Sequence, residues 1–237
     1  MNRNPIIVAL DVDTAAEARS LVARLGDRIN FFKVGMELFA AAGMEFVREL
    51  VGEGREVFLD LKYYDIPETV KRATALVAQS GVRFLTVHAV GSVVRAAVEG
   101  RGSSDLKILA VTVLTSFAAE DLEDLGWQGA VAGLVELRAR RALEARADGI
   151  VASPLEAAAV RRLAGPGPII VTPGVRSAGK AAGDQKRVAT PAEALRNGAD
   201  YLVIGRQITR AADPAAEAAR VLEELAAAFP TTSAKNG

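Results

Sequence analysis

The sequence contains no cysteine. That single absence excludes disulfides, zinc ribbons, thiolate nucleophiles and iron–sulfur clusters, and it fits a reducing cytoplasm. Excess charge is missing too, because 29 basic and 29 acidic side chains cancel. Nothing in the composition therefore supplies the basic footprint that nucleic acid or an anionic membrane surface calls for. No apolar run approaches the roughly 20 residues needed to span a bilayer. Asp11 and Asp13 interrupt the first apolar stretch before a signal-peptide core forms. Histidine occurs once, as His88. What remains is the expectation of a soluble cytoplasmic protein without a nucleic-acid or membrane partner.

What is present is a repeating alternation. Short, almost continuously apolar runs recur as IIVALD (6–11), FFKV (31–34), EVFLDLK (56–62), RFLTVH (83–88), KILAVTV (107–113), DGIVA (148–152), PIIVTP (168–173) and YLVIG (201–205). Such runs suit parallel strands buried on both faces. Between them lie segments with helical spacing, such as 14–26 and 67–81. Thr14 with Glu17, Ser153-Pro154 with Glu156, and Thr190-Pro191 with Glu193 read as capping boxes, two of them with proline at the first helical position. Eight such units in 237 residues is about 30 residues each, which fits an α/β protein of the (β/α)8 TIM-barrel class. A doubly wound open sheet is the alternative, but no strand is followed by G-x-G-x-x-G and no G-x-x-x-x-G-K-[ST] occurs. One barrel domain is expected over 1–237, with helix 211–229 closing the ring and a frayed polar tail at about 230–237.

Active sites of such barrels lie at the C-terminal strand ends. Those ends carry Asp11, Lys33, Asp60, Lys62, His88, Thr112 or Thr115, Ser153, Pro173, Gly205 and Arg206. A charge inside an apolar strand is costly unless paired, so Lys33, Asp60 and Lys62 need partners. Asp60 and Lys62 stand two apart on one strand and point the same way; Asp65 follows on the loop. Opposite unit charges ~4 Å apart attract by about 4 kcal/mol at an effective dielectric of 20, and like charges repel equally. An alternating Lys/Asp/Lys/Asp array is thus compatible with one pocket where four carboxylates are not. A self-satisfied ion network plugging the barrel mouth is the structural alternative, although charge clusters in clefts are more often functional.

A second cluster is TPGVRSAGKAAGDQKR (172–187), followed after the eighth strand by Gly205-Arg206. Loops after strands 7 and 8 are the usual phosphate site of these barrels. Here Gly174, Gly179 and Gly183 give the loop freedom, and Arg176, Lys180, Lys186 and Arg187 make it basic, a composition suited to a lid. Arg206 suits a bidentate grip on phosphate. His88 has no catalytic partner in the sequence, Ser153 reads as a cap rather than a nucleophile, and Phe31, Phe32 and Trp127 read as packing. Metal binding is disfavoured because lysines compete for Asp60 and Asp65.

DLKYYDIPETV (60–70) resembles the D-x-K-x-x-D-I-P-x-T signature of the orotidine 5′-phosphate decarboxylase family. ALDVDT (9–14), FKVG (32–35), VTVLTS (111–116), TPGVR…GDQKR and the final IGR resemble that family's other strand and loop segments, so the resemblance covers essentially the whole chain. It implies decarboxylation of orotidine 5′-phosphate to uridine 5′-phosphate and CO2 in pyrimidine nucleotide biosynthesis, with no cofactor and no metal. It implies that Lys33, Asp60, Lys62 and Asp65 form the charge array, with Lys62 the proton donor and Asp65 reaching in from the partner of a homodimer. Asp11 and Lys33 would hold the ribose, Thr115 and Gln185 would meet the pyrimidine or closing loop, and Pro173, Arg176, Gly205 and Arg206 would surround the phosphate. Ile66 and Thr69 would lie at the shared subunit boundary. Tyr64, Ser177 and Gln207 depart from the pattern, standing where many members have His, Pro and Pro.

Two other readings compete. A metal-dependent sugar-phosphate relative such as 3-keto-gulonate 6-phosphate decarboxylase carries an acid at the second-strand position, where this chain has Lys33. A non-catalytic nucleotide-binding barrel is opposed by the intact Lys62 between two aspartates.

Overall fold

A computed structural model describes residues 4–117, 119–124, 126–178 and 189–229. Eight parallel strands, β1 (Ile6–Ala9), β2 (Phe31–Gly35), β3 (Glu56–Tyr63), β4 (Phe84–His88), β5 (Lys107–Val111), β6 (Gly149–Val151), β7 (Ile169–Thr172) and β8 (Tyr201–Ile204), pair in sequence order. β8 returns to β1 through Ile6↔Leu202, Ile7↔Val203 and Val8↔Ile204, closing the barrel. The outer helices are α1 (Ala15–Leu25), α2 (Met36–Gly52), α3 (Pro67–Ala78), α4 (Gly91–Arg101), α5 (Ala119–Glu123), α6 (Val131–Glu144), α7 (Ala157–Ala164), α8 (Pro191–Arg196), α9 (Arg206–Thr209) and α10 (Pro214–Ala228). Closure excludes the open-sheet alternative.

Alternation along the strands sorts side chains into two cores. Val8, Phe32, Val34, Val57, Leu59, Leu85 and Ile170 face outward under the helices. Ile7, Ala9, Phe31, Phe58, Phe84, Leu109, Val171 and Tyr201 fill the barrel interior. Phe31, Phe84 and Tyr201 pack with ring centroids 5.1 to 5.6 Å apart, and Phe58 adds an edge contact to Phe84 at 6.0 Å. Arg83, paired with Glu56, stacks over Phe31 and Phe84. Each fully buried aromatic or aliphatic side chain contributes about 1.5–3 kcal/mol of transfer free energy. This floor leaves the opposite end of the barrel for polar groups.

Helix starts follow the sequence signals in two of three cases. Thr14 accepts from Glu17 N, and Thr190 with Glu193 forms a complete capping box ahead of Pro191. The Ser153 signal needs correction, because α7 begins only at Ala157 and Pro154 lies outside it. Ser153 Oγ instead accepts from Leu155 N at 3.2 Å, and the Glu156 carboxylate accepts from Ser153 N at 3.1 Å, forming a hydrogen-bonded turn before the helix. The closing helix is shorter than 211–229, since Asp213 caps it by accepting from Ala215 N and Ala216 N. The tail at 230–237 lies outside the described residues.

Candidate active site

One cleft of about 610 Å³ opens at the C-terminal ends of the strands. Its floor is the layer directly above the aromatic plug. Two residues on from Ala9, Phe31, Phe58 and Phe84, on the same strand faces, come Asp11, Lys33, Asp60 and Thr86. The charges sit at the strand ends because the apolar layer below already fills the barrel.

Lys33 is buried and donates to Asp11 Oδ1 at 2.7 Å, with Asp60 Oδ2 3.8 Å away. Lys62 donates to Asp60 Oδ1 at 2.9 Å. Asp60 thus stands between two ammonium groups. Burial raises its pKa, but the charges of Lys33 and Lys62 and hydrogen bonds from Lys62 and Thr86 outweigh that, holding it below the ordinary carboxylate value. The two lysines share one ion-pair chain through Asp60.

Strand geometry between Asp60 and Lys62 differs from the expected straight run. Leu59 pairs with Leu85 but Tyr63 pairs with Val87, so β3 uses four steps where β4 uses two. Lys62 adopts φ 50°, one of two non-glycine residues with positive φ among the described residues. Thr86 stabilises this bulge: its Oγ accepts from Lys62 N and donates to Asp60 Oδ1, both at 2.9 Å. Thr86 was not among the residues singled out from the sequence. Its signal was available, as a polar residue two positions before His88 on the inward face of an apolar strand.

Gly35 is a second omission. A Cβ there would lie 2.9 Å from Lys33 Nζ and 3.3 Å from Asp11 Oδ1. The Lys33–Asp11 pair fits because this strand end carries no side chain. Asp13, Glu17 and Glu37 also line the cleft and make one rim acidic. A hydrogen bond with Asp13, then burial and the charges of Asp13 and Asp11, raise the pKa of Glu37.

On the opposite side, Thr115, Pro173, Arg176, Gly205 and Arg206 line the same cleft. Thr115 is therefore the threonine of the pocket; Thr112 is buried and its hydroxyl donates to the Val151 carbonyl at 3.3 Å. Burial, then the nearby Arg206 charge, lowers the pKa of Arg176, placing two guanidinium groups on one wall. The long loop after β7 is closed at its base by the bridge Val175↔Ala189 and by Arg176 N donating to the Ala189 carbonyl at 3.0 Å. Gln185, Gly179, Gly183, Lys180, Lys186 and Arg187 lie outside the described residues.

Asp65, Ile66 and Thr69 are exposed and do not line their own chain's cleft. Asp65 Oδ1 accepts from Ile66 N at 2.6 Å on the turn into α3. His88 is half-buried beside Tyr64, ring centroids 5.4 Å apart, and burial followed by the charges of Arg138 and Lys62 lowers its pKa. Phe31 and Phe32 are core residues, and Trp127 packs against the outer core. Among the described residues, no helix is long and apolar enough to cross a membrane.

A closed parallel barrel with lysine–carboxylate ion pairs converging at its C-terminal mouth is a (β/α)8-barrel enzyme. The model of the orotidine 5′-phosphate decarboxylase / HUMPS family matches residues 4–221, and the chain belongs to that family. It is 55% identical to an orotidine 5′-phosphate decarboxylase of Nitrobacter winogradskyi, over 96% of this chain and 95% of the relative. It is 51% identical to one from Rhodopseudomonas palustris, over 96% of each chain. The crystal structure of the Lactobacillus acidophilus orotidine 5′-phosphate decarboxylase superposes with a TM-score of 0.83 at 36% identity, covering 94% of this chain and 99% of that one.

Proposed function

We propose that this cleft decarboxylates orotidine 5′-phosphate to uridine 5′-phosphate and CO2, with Lys62 as the proton donor. The observation that carries the reading is the Lys33–Asp60–Lys62 chain in the same cleft as Arg176 and Arg206. A nucleotide monophosphate has matching features: a dianionic phosphate at one end and a reacting carbon at the other.

The chemistry follows from charge. The bond from C6 to the carboxylate breaks, its electron pair remains on C6, and CO2 leaves. Lys62 ammonium stabilises that developing negative charge and then transfers its proton to C6, leaving a neutral amine that solvent reprotonates. Asp60, ionised and hydrogen-bonded to Lys62, keeps the ammonium charged and aimed. In this reading Asp11 and Lys33 hold the ribose hydroxyls, Thr115 and Gln185 serve the pyrimidine or the closing loop, and Pro173, Arg176, Gly205 and Arg206 serve the phosphate. Phosphate binding is remote from the broken bond, so its energy is available for closing the site and raising turnover. The reaction needs no cofactor and no metal, because the ammonium supplies both the electrostatic sink and the proton.

The working unit in this reading is a cytoplasmic homodimer in which Asp65 of one chain completes the array of the other, with Ile66 and Thr69 at the boundary. Supporting it, Asp65 is exposed, does not line its own cleft and is flanked by Tyr64 and Ile66, each 67% exposed. Apolar side chains so exposed beside a catalytic candidate suit a surface covered by a second copy. The test is the fall in pyrimidine absorbance of orotidine 5′-phosphate with and without EDTA. Loss of signal unaffected by chelation is the expected result. Activity that disappears with EDTA and returns with Mg2+ supports the metal-dependent relatives instead, and no loss under either condition supports a non-catalytic barrel.

A further inference from the structure

The two arginines on the phosphate wall belong to different elements. Arg176 is on the loop after β7, and Arg206 opens α9 after β8. Their next residues, Ser177 and Gln207, are both buried and are bonded to each other twice. Ser177 N donates to Gln207 Oε1 at 3.0 Å, and Gln207 Nε2 donates to Ser177 Oγ at 2.9 Å. The second Nε2 hydrogen goes to Glu217 Oε1 on α10 at 3.0 Å. Glu217 in turn is paired with Arg220, at 2.7 Å from its Nη2.

Every hydrogen of the Gln207 amide is used, and only one orientation satisfies the set. Turning the amide over would point Oε1 at the Glu217 carboxylate and Nε2 at the Ser177 N–H. The ring is therefore directional and rigid, and it joins two segments that have no strand pairing beyond Val171↔Tyr201 and Thr172↔Leu202. Two like-charged guanidinium groups on one wall repel each other before a phosphate arrives. A buried cross-link one residue from each opposes that spreading.

We propose that Ser177 and Gln207 are positioning residues that hold Arg176 and Arg206 at the spacing a phosphate dianion requires, anchored to α10 through Glu217. The proposal rests on the reading of the two arginines as the phosphate grip. Neither Ser177 nor Gln207 lines the cleft, so their effect on ligand passes through the arginines.

The test compares uridine 5′-phosphate with uridine, by calorimetry, on Gln207→Leu, Ser177→Ala, Ser177→Thr, the Ser177→Ala/Gln207→Leu double variant and Arg206→Ala. Gln207→Leu should weaken uridine 5′-phosphate about tenfold and Ser177→Ala about threefold, the range expected for losing one or two buried hydrogen bonds. Uridine binding should change by less than about twofold in both, since it makes no use of the grip. Ser177→Thr, which keeps the hydroxyl, should restore most of the loss. The double variant should be no weaker than Gln207→Leu, because both changes break one ring. General damage to the fold would weaken both ligands alike, and equal losses on the two, or additive losses in the double variant, overturn the proposal. Arg206→Ala separates the two levels. A phosphate-selective loss there with none in Gln207→Leu overturns only the positioning role, whereas equal losses on both ligands in Arg206→Ala overturn the grip and the positioning role together.

Discussion

Lys62 reaches Asp60 across a bulge, with its ammonium 2.9 Å from Asp60 Oδ1 and its own backbone left-handed at φ 50°. A left-handed non-glycine residue costs roughly 1–2 kcal/mol. The Thr86 hydroxyl offsets part of this by taking the Lys62 N–H, and in the same stroke it donates to Asp60. Backbone strain, the acid and the base are thus joined through one threonine. Strain of this kind clusters where a side chain must be aimed.

If Lys62 supplies the proton, Lys62→Ala should nearly abolish decarboxylation while uridine 5′-phosphate still binds measurably. The ammonium acts mainly as negative charge develops, so its loss belongs to the chemical step. Single-turnover kinetics with a parallel binding isotherm separates the two. Turnover within about tenfold of the parent, or 1.4 kcal/mol, would refute the assignment.

Thr86→Val removes a hydroxyl that touches both Asp60 and the Lys62 backbone, while Thr86→Ser keeps it. A hydrogen bond to a charged group is worth about 1.5–3 kcal/mol, so kcat should fall roughly ten- to a hundredfold in Val and much less in Ser. Equal kcat values for Val and Ser would show that the hydroxyl does not aim the lysine.

Gly35→Ala introduces a Cβ 2.9 Å from Lys33 Nζ. The end of the Lys33 side chain has to shift, and the Lys33–Asp11 contact shifts with it. Orotidine 5′-phosphate should bind up to about tenfold more weakly, tenfold being the effect of losing a charge-assisted contact outright, while the far-ultraviolet circular dichroism is unchanged. Parent-like affinity would mean that the Lys33–Asp11 geometry is not needed for the ligand.

The shared site predicts recovery of activity on mixing inactive Lys62→Ala and Asp65→Asn homodimers. In each mixed dimer one site carries both defects and the other carries neither. Random exchange makes about half the dimers mixed, so roughly a quarter of all sites should be intact. No recovery after exchange has been verified by mass spectrometry would show that Lys62 and Asp65 act from one chain.

The barrel was legible in the sequence because eight apolar runs, suited to strands buried on both faces, alternate with helical segments, and because no Gly-rich nucleotide motif favoured the open sheet. Asp11, Lys33, Asp60, Lys62 and Arg206 were legible as polar residues at strand ends, Thr115 as one of two alternatives there and Arg176 as part of the basic loop after β7, and all of them line one cleft. What the sequence could not supply were contacts that depend on register between strands. The β3 bulge, the bridging Thr86 hydroxyl and the space kept by Gly35 exist only once β2, β3 and β4 are paired. Ser177 and Gln207 stand thirty residues apart as two separate departures from a family pattern, and only packing of the β7 loop against α9 turns them into a ring. Hydrophobic periodicity is a local property and survives in one dimension, whereas a hydrogen bond depends on distance and angle between segments that the chain brings together only by folding.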